Sequence, residues 1–355
     1  MPFEDFMAAC LYDPEGGFFA SGPVRSVKEG DFLTSPEVSP WFGGMLGRFV
    51  TAEQQRIAAD PFLVVDAGAG SGSLLRPLMD AQQPVPPRSG GTRIRSGESA
   101  GGLRNEFHAI EASPAARSAL AGLVGSGRVH ESLDDLPRRF DGVILANELL
   151  DNLPVSLAIR SSSGWVERWV GATEDRFGFV TAEARPDVVA WCDSYAGAVA
   201  EGGMVEVQLA AAEWVRAALG HIGRGALVVV DYGGTAEELE PRRTQGTLRT
   251  YRSHHLGPDP LLEPGATDVT VDVNFSAIVA VANEQGAAVE LHRQDDFLDD
   301  LGLRKVVSDL RHQERDLARS GDAMQRLMVR SEATDAETLL HPRGLGDFRV
   351  MVATR

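Results

Sequence analysis

The sequence predicts an α/β protein built on a doubly wound, mostly parallel, Rossmann-like sheet. Short continuous apolar runs, such as residues 62–66 and 227–231, have the pattern of strands buried on both faces of a sheet. Segments with helical spacing separate these runs, and alternation of strands with helices is typical of parallel sheets. A glycine-rich turn follows the first run directly and leads into a helix. These three observations define the fold class that we expect.

The overall composition is that of a folded, acidic protein. Its 355 residues allow two domains, or one large domain with insertions. Apolar residues make up 43% of the chain, enough for a sizeable core, which excludes disorder throughout. The formal net charge of −17 repels phosphate backbones and argues against a nucleic-acid partner.

The small numbers of lysines and cysteines exclude further classes of chemistry. Lys28 and Lys305 are the only lysines, so lysine-nucleophile mechanisms have almost no candidates. Cys10 and Cys192 cannot form a four-cysteine zinc site or a disulfide framework, and we expect them to be buried thiols. No apolar run approaches the ~20 residues needed to span a bilayer. The acidic start lacks a basic signal region, so we expect a cytoplasmic protein with no membrane partner.

The first fifty residues are predicted to form a lid and helical segment. Up to residue 40 the chain is rich in Gly, Pro and Asp, which indicates loops and short helices. Residues 35–60 carry apolar side chains at three- and four-residue spacing, which predicts a helix. The polar, turn-rich stretch 30–37 suits a lid that closes over a ligand.

Residues 51–155 and 200–355 are predicted to form the Rossmann-like domain. We expect its strands at 62–66, 106–111, 128–133, 140–147, 223–234, 287–294 and 344–355, and helices at 114–125, 275–286 and 298–331. Residues 156–199 are predicted to be an inserted antiparallel and helical subdomain, because apolar and polar residues alternate there. Residues 83–104 are rich in Pro, Gly, Ser and Arg, which predicts a disordered insertion.

The sharpest motif is D-x-G-x-G-x-G, formed by Asp66, Gly68, Gly70 and Gly72 between the first strand and its helix. Glycines let the backbone turn tightly and approach a ligand, and a helix N-terminus presents free N–H groups. A nicotinamide fingerprint would have glycine where Ser73 stands. An acid before the glycines suits a ligand with an ammonium group and no pyrophosphate, such as S-adenosylmethionine. The alternative is a glycine-rich turn that binds no ligand.

Glu111 ends the second strand, where a carboxylate can accept both ribose hydroxyls of an adenosine ligand. Its distance from Gly72 along the chain exceeds the usual ~20 residues, and the insertion at 83–104 accounts for the excess. The alternative is a helix cap ahead of Ser113. Ser132, at the end of the third predicted strand, is also assigned to the cofactor.

The fourth strand ends in Asn147 and Glu148, with Asp151 three residues further on. Ligands of doubly wound sheets lie at the carboxyl ends of the strands, so this loop is expected to border the reacting centre. Glu148 and Asp151 could face one cation. The alternative is that these residues cap the following segment.

Two other classes of site are not supported. His254 and His255 have no second His or Cys cluster at metal-ligand spacing, so we expect no metal. No G-x-S-x-G motif follows a strand, which argues against a serine hydrolase.

The chain resembles the MidA family of S-adenosylmethionine-dependent methyltransferases, which includes the mitochondrial complex I assembly-factor methyltransferases. The stretches that carry the resemblance are LYDPEGGFF (11–19), GDFLTSPEVSPWFG (30–43), VVDAGAGSGSLLRPLM (64–79), HAIEASPAAR (108–117), ANELLDNLP (146–154), LVVVDYG (227–233), GTLRTYRSHH (246–255) and GATDVTVDVNF (265–275). They cover nearly the whole chain.

The resemblance implies a class I methyltransferase fold and methylation of a protein side chain, with arginine guanidinium indicated by the mitochondrial branch. It places Gly68, Gly70 and Glu111 on the cofactor and Asn147, Glu148 and Asp151 at the methyl-transfer site. Asp31, Thr34, Pro36 and Glu37 would close over the cofactor. Phe18-Phe19 stands where the family usually has tyrosines, and Asp66 stands where it usually has glutamate. These departures leave open a substrate other than the mitochondrial one.

The expected partner is thus a protein with an exposed arginine, by family analogy a respiratory complex I subunit. Two alternatives are a module that binds S-adenosylmethionine without turnover and a small-molecule methyltransferase. A small substrate predicts a closed pocket, whereas a protein substrate needs an open cleft. The sequence does not indicate the oligomeric state or the degree of methylation.

Overall fold

The computed structural model describes residues 1–19, 34–82, 104–174, 176–252 and 255–355. Its α-helices in these ranges are α1 Phe3–Tyr12, α2 Ser35–Val38, α3 Pro40–Ile57, α4 Leu75–Ala81, α5 Pro114–Val124, α6 Pro186–Tyr195, α7 Leu209–His221, α8 Ala236–Leu239, α9 Phe275–Glu284, α10 Gln294–Asp300, α11 Leu303–Ser320 and α12 Ala323–Thr338. Its strands are β1 Phe62–Ala67, β2 Asn105–Ile110, β3 Val129–His130, β4 Phe140–Asn147, β5 Ser156–Ser161, β6 Gly164–Ala172, β7 Phe177–Glu183, β8 Met204–Val207, β9 Ile222–Asp231, β10 Gly233–Gly234, β11 Arg249–Arg252, β12 His255–Leu256, β13 Asp268–Thr270, β14 Val273–Asn274, β15 Ala288–Arg293 and β16 Arg349–Thr354.

A seven-stranded sheet with the order β15-β16-β9-β4-β1-β2-β3 forms the centre of the molecule. The pairs among β9, β4, β1, β2 and β3 are all parallel. Strand β16 runs antiparallel to both of its neighbours, β9 and β15. The prediction of a doubly wound, mostly parallel sheet is therefore confirmed.

Helices cover both faces of this sheet. On one face, Val64 belongs to an apolar cluster with residues of α3, α4, α5 and α10–α12. On the other face, Val65 packs with residues of α7 and α9. All six residues of β1 are buried, as the continuous apolar run predicts, because neighbouring side chains of a strand point to opposite faces.

The inserted subdomain is a four-stranded antiparallel sheet with the order β7-β6-β5-β8. Strand β8 lies beyond the predicted boundary at residue 199, so the sheet extends to Val207. Its sequence, MVEV, is too short to show a clear alternation. Helix α1 packs on this sheet through Phe3 and Met7. Arg185, bound to Glu4 at 2.6 Å and to Glu167 at 2.8 Å, joins α1 to the sheet.

Several element predictions differ from the structure in detail. The predicted helix 35–60 is divided into α2 and α3 at Ser39, whose side chain accepts a hydrogen bond from Trp41 N. Proline at position 40 begins a new helix there, because its ring suits the first helical turn. The third strand contains only Val129 and His130. The predicted disordered insertion lies outside the described residues except Arg104, whose carbonyl accepts from Phe62 N.

Both cysteines are buried free thiols, in agreement with their predicted role. Within the described ranges, no helix combines the length and apolarity that crossing a membrane requires.

Candidate active site

A cavity of about 750 Å³ lies at the carboxyl ends of the central strands. Its wall includes residues that directly follow β1, β2, β3 and β4 together with parts of α1, α2 and α7. It has two ends that we name by their residues. The cofactor end contains residues 66–71, 73–74, 110–113 and 131–134, and the acceptor end contains Tyr12, residues 147–149 and 151–153, Tyr232 and Asp268. The topology creates this meeting point, because parallel strands present their carboxyl ends at one edge of the sheet.

The glycine turn forms the floor of the cofactor end. Gly68 and Gly70 line the cavity with φ angles of 75° and 50°, in the left-handed region that favours glycine. A Cβ added at Gly70 would meet no protein atom within 4 Å, so the space beside it is open to a ligand.

Three amides at the start of this turn donate to protein acceptors, so they are not among the free N–H groups expected there. Gly68 N and Ala69 N donate to Ile110 O at 2.9 and 3.1 Å, and Gly70 N donates to Glu111 Oε2 at 2.8 Å. The turn therefore contributes shape and close approach to a ligand.

Gly72 lies outside the described cavity wall, although it was predicted to bind the cofactor. A Cβ at Gly72 would lie 3.1 Å from Leu120 and 3.2 Å from Leu123 of α5. Its small size thus serves the packing of the turn against α5.

Glu111 is held at the cavity wall by two backbone amides. Its Oε2 accepts from Gly70 N and its Oε1 accepts from Ser113 N, each at 2.8 Å. The Ser113 contact matches the helix-cap alternative. Each carboxylate oxygen can accept a second hydrogen bond, so the predicted contacts with ribose hydroxyls fit this geometry.

Asp66 is a buried carboxylate at the cofactor end. It is 2% exposed, and its Oδ2 has no hydrogen-bond partner. Burial raises its pKa to about 7, and the charge of Glu111 adds to the rise. An unpaired buried carboxylate is costly unless a cation or donor approaches it, which suits the ammonium of S-adenosylmethionine.

Ser132 lines the cavity as predicted, next to Leu133. Helix α7 closes this side with Ala210, Trp214 and Ala217, which the sequence analysis did not assign. Nothing in the local sequence of α7 indicated that it faces a ligand.

The predicted lid residues Thr34, Pro36 and Glu37 line the cavity, whereas Asp31 lies outside the described residues. Thr34 N donates to Glu37 Oε2 at 3.2 Å at the start of α2. The Oγ of Ser35 donates to Gln294 of α10 at 3.2 Å, which ties α2 to the helical region 294–338.

Glu148 begins the acceptor end and has a strained backbone. Its φ is 49°, which is rare for a residue with a side chain and often marks a functional position. Its Oε1 accepts from Asn147 Nδ2 at 3.2 Å and from Ser35 N at 3.4 Å. Burial raises its pKa to about 8, and the negative charge of Asp151 contributes.

Asp151 lines the same cavity and is 4% exposed. Its Oδ2 accepts hydrogen bonds from Tyr232 Oη and, at 2.6 Å, from Thr270 Oγ1. Its Oδ1 has no partner. Burial raises its pKa, and the two hydroxyl donors partly counteract this rise.

Four further residues were not predicted from the sequence: Asp231, which lies behind the acceptor end, and Tyr12, Tyr232 and Asp268, which belong to it. Asp231 Oδ2 accepts from Leu150 N at 3.0 Å and from Asp151 N at 3.3 Å, which fixes the loop after β4. Tyr12, Tyr232 and Asp268 line the cavity itself. A signal was available, because these residues lie in LYDPEGGFF, LVVVDYG and GATDVTVDVNF, which carry the family resemblance but were given no role.

Nowhere in the described parts of the chain do three His, Cys, Asp or Glu side chains gather in a way that could hold a metal ion. His254 lies outside those parts.

The sheet order, the acid-and-glycine turn after β1 and the carboxylate at the end of β2 define a class I S-adenosylmethionine-dependent methyltransferase. Asp66, the open space at Gly70 and Glu111 would hold this cofactor.

A family model described as "putative S-adenosyl-L-methionine-dependent methyltransferase" matches residues 45–292, and the chain belongs to that family. This agrees with the MidA resemblance seen in the sequence.

Relatives and solved structures agree with this assignment. The chain is 27% identical over 319 residues to the mitochondrial protein arginine methyltransferase NDUFAF7 homolog of Drosophila melanogaster, covering 81% of this chain and 67% of that protein. It is 27% identical over 326 residues to human NDUFAF7, a mitochondrial protein arginine methyltransferase, covering 84% and 69%. A Burkholderia thailandensis crystal structure with bound S-adenosyl-homocysteine superposes with a TM-score of 0.82 at 28% identity, covering 100% of this chain and 88% of that one. S-adenosylmethionine is therefore the cofactor.

Proposed function

We propose that this methyltransferase acts on an arginine guanidinium of a protein. The observation that carries the proposal is the charge of the cavity wall. Its described side chains include no Lys, Arg or His, whereas nine are acidic: Glu37, Asp66, Glu111, Glu131, Asp134, Glu148, Asp151, Glu213 and Asp268. Such a wall favours cationic ligands over phosphates.

Unpaired oxygens make the argument more specific. Asn147 Oδ1 and Asp151 Oδ1 are buried without hydrogen-bond partners, and both residues line the acceptor end. They need a donor, and a guanidinium offers five N–H donors and no acceptor. Planar guanidinium groups also pair well with carboxylates.

The proposed reaction needs positioning and the removal of one proton. S-adenosylmethionine supplies a methyl group on a positively charged sulfur. The acceptor nitrogen forms a bond to the methyl carbon as the bond between that carbon and the sulfur breaks. The nitrogen then loses a proton. Glu148 and Asp151 are the carboxylates placed to orient the cation and take that proton. A raised pKa suits a base that works near neutral pH, as for Glu148 at about 8.

The relatives are named as protein arginine methyltransferases, which supports the choice of arginine. Their sequences are about a quarter identical to this chain. A complex I subunit as the methylated partner and a cytoplasmic location remain predictions from the sequence. An acidic surface would steer a basic, arginine-containing segment toward the cavity.

The test is a labelling experiment. Purified protein is incubated with methyl-labelled S-adenosylmethionine and a lysate of host cells that lack this gene, so that its natural sites are unmethylated. Labelled material is separated into proteins and small molecules, and labelled proteins are hydrolysed to amino acids. The E148Q variant serves as the matched control, because it keeps the shape of the side chain.

Methylarginine formed by the parental protein and absent with E148Q is the expected result. Label in another amino acid would contradict the arginine assignment. Label confined to small molecules would favour the small-molecule alternative. Tight cofactor binding without labelled product would favour a binding module without turnover.

A further inference from the structure

The carboxylate of Asp151 is held asymmetrically. One oxygen, Oδ2, accepts hydrogen bonds from the hydroxyls of Tyr232 and Thr270, while Oδ1 has no partner. The two hydroxyls also contact each other. Both donors reach Asp151 from distant parts of the chain, at separations of 81 and 119 residues.

The backbone around this carboxylate is fixed independently of these hydroxyls. Asp231 Oδ2 accepts from Asp151 N, and Asp151 O accepts from Val271 N at 3.1 Å. Removing a hydroxyl from Tyr232 would therefore leave the loop in place.

The ring of Tyr232 is held on two sides. Its centroid lies 5.6 Å from that of Phe348, and the guanidinium of Arg249 lies 5.4 Å from the Tyr232 ring. A clamped ring gives its hydroxyl one preferred direction, toward Asp151.

We propose that Tyr232 and Thr270 are positioning residues that bind Oδ2 of Asp151 and reserve Oδ1 for the methyl acceptor. This inference rests on the proposed role of Asp151 in the methylation of a cationic acceptor. Two donors on one oxygen stabilise the ionised carboxylate, and they orient its remaining lone pairs.

Other ionisable groups also face Asp151. Glu148 lies on the same loop, Asp231 is the last residue of β9 and Tyr12 belongs to α1. Asp268 of β13 is a further acid close to Tyr12. Burial is the largest cause that disfavours ionisation of Asp151, and like-charge repulsion from Glu148 and Asp231 adds to it. The hydroxyl donors oppose this repulsion, so their removal should make Asp151 harder to ionise.

The kinetic test compares pH profiles of methyl transfer to the labelled protein substrate. Y232F keeps the ring and loses the hydroxyl, and it should move the acidic limb of kcat/KM upward by about one to two pH units, the scale of a hydrogen bond to a charged group. T270V should move the limb in the same direction, and T270S should restore it. The KM for the cofactor should stay unchanged.

Y12F is the matched control for the position of the limb. The hydroxyl of Tyr12 lines the same cavity but donates to a backbone oxygen, Asn152 O, at 3.2 Å. Its loss should leave the limb where it is. An unmoved limb in both Y232F and T270V would overturn the proposal, even if both variants were slower.

A second measurement needs no methyl acceptor. Carboxyl ¹³C NMR of aspartate-labelled protein with S-adenosylhomocysteine follows the titration of Asp151, whose signal is identified by its loss in D151N. The titration midpoint should rise in Y232F, and an unchanged midpoint would overturn the inference. If the midpoint rises but D151N methylates at the parental rate, the proposed role of Asp151 in catalysis fails while the hydroxyl–carboxylate link stands.

Discussion

The two ends of the cavity are built in different ways. At the cofactor end, Gly68 and Gly70 make their hydrogen bonds to the neighbouring strand end at Ile110 and Glu111. At the acceptor end, Asp151 depends on Tyr232, which directly follows β9, and on Thr270, the last residue of β13. The cofactor end is therefore a product of local strand–turn–helix geometry, whereas the acceptor end is assembled by tertiary contacts between distant segments.

The carboxylates at the two ends also differ in what surrounds them. Glu111 accepts two amide hydrogen bonds, but the half-buried Glu148 and the buried Asp151 lie near each other and repel. Repulsion between buried carboxylates is unfavourable in the empty protein and is relieved when a cation binds between them. The cofactor end has one unfavourable buried carboxylate, Asp66, whereas the acceptor end places two carboxylates beside each other, and variants can compare the two ends.

The largest effect is expected at Glu148. E148Q keeps the shape of the side chain and an oxygen for Asn147 Nδ2 and Ser35 N, but it removes the charge. Methyl transfer should fall roughly 10²–10⁴-fold, as for loss of a positioned acid–base group. The affinity for S-adenosylhomocysteine, measured by calorimetry, should stay at the parental value. Loss of cofactor binding instead would place Glu148 in the cofactor end.

The next effect is a pH-dependent stability change at Asp66. Its raised pKa, about 7, means that the folded protein holds a proton that the unfolded chain releases above about pH 4. The stability associated with this proton is present below pH 4 and is lost as the pH rises to about 7. The side chain of D66N does not ionise in this pH range. The free energy of unfolding of D66N should therefore exceed that of the parent by an amount that grows to roughly 2–4 kcal/mol between pH 4 and 7.

Urea unfolding across this pH range measures the effect without cofactor. D141N provides a control of opposite sign, because the Arg224 side chain lowers the pKa of Asp141. It should be less stable than the parent at pH 7 and approach the parent in acid. A constant difference between D66N and the parent at all pH values would show that Asp66 keeps an ordinary pKa.

A smaller effect is expected at Glu111. E111A removes the carboxylate that faces the cavity, and cofactor binding should weaken by roughly 1–3 kcal/mol, the scale of hydrogen bonds to a charged group. E131A, which removes another acid of the wall, should change affinity little, because its carboxylate is mostly exposed and pairs with Arg117. If E111A loses less than about fivefold in affinity, Glu111 serves only as a cap for α5.

The smallest effect is expected from a single methyl group at Gly70. Gly70 and Gly286 both have positive φ, 50° and 77°, and a Cβ at either would meet no protein atom within 4 Å. Both G70A and G286A should lose roughly 1–2 kcal/mol of stability from backbone strain. Only G70A should also lose cofactor affinity, by about tenfold, because its methyl group enters the ligand's space. Equal affinities in the two variants would show that the ligand does not approach Gly70.

The sequence was enough to predict the central sheet, the glycine turn and the placement of Glu111, because each depends on a pattern within one or two neighbouring elements. It also placed Glu148 and Asp151 at one site, since both follow the same strand. The partners of Asp151 could not be predicted in this way. Tyr232 and Thr270 meet it only after β9 and β13 are in place, and no spacing along the chain encodes that contact.

Gly72 shows that a motif can also predict a ligand contact where the residue serves packing. It completes the D-x-G-x-G-x-G motif, yet its position is determined by Leu120 and Leu123 of α5. A glycine near a ligand and a glycine under a helix look the same in a sequence, because both supply only the absence of a side chain.

The place of β16 in the sheet has a consequence for how the protein is made. β16 lies between β9 and β15, both of which leave the ribosome before it. Until residues 349–354 are synthesised, β9 presents an unpaired, apolar edge, and β15 lacks the strand that joins it to the sheet. Open edges of this kind invite pairing with other chains. Nascent chains that stall just before β16 should therefore be the form of this protein most prone to aggregate and most in need of a chaperone.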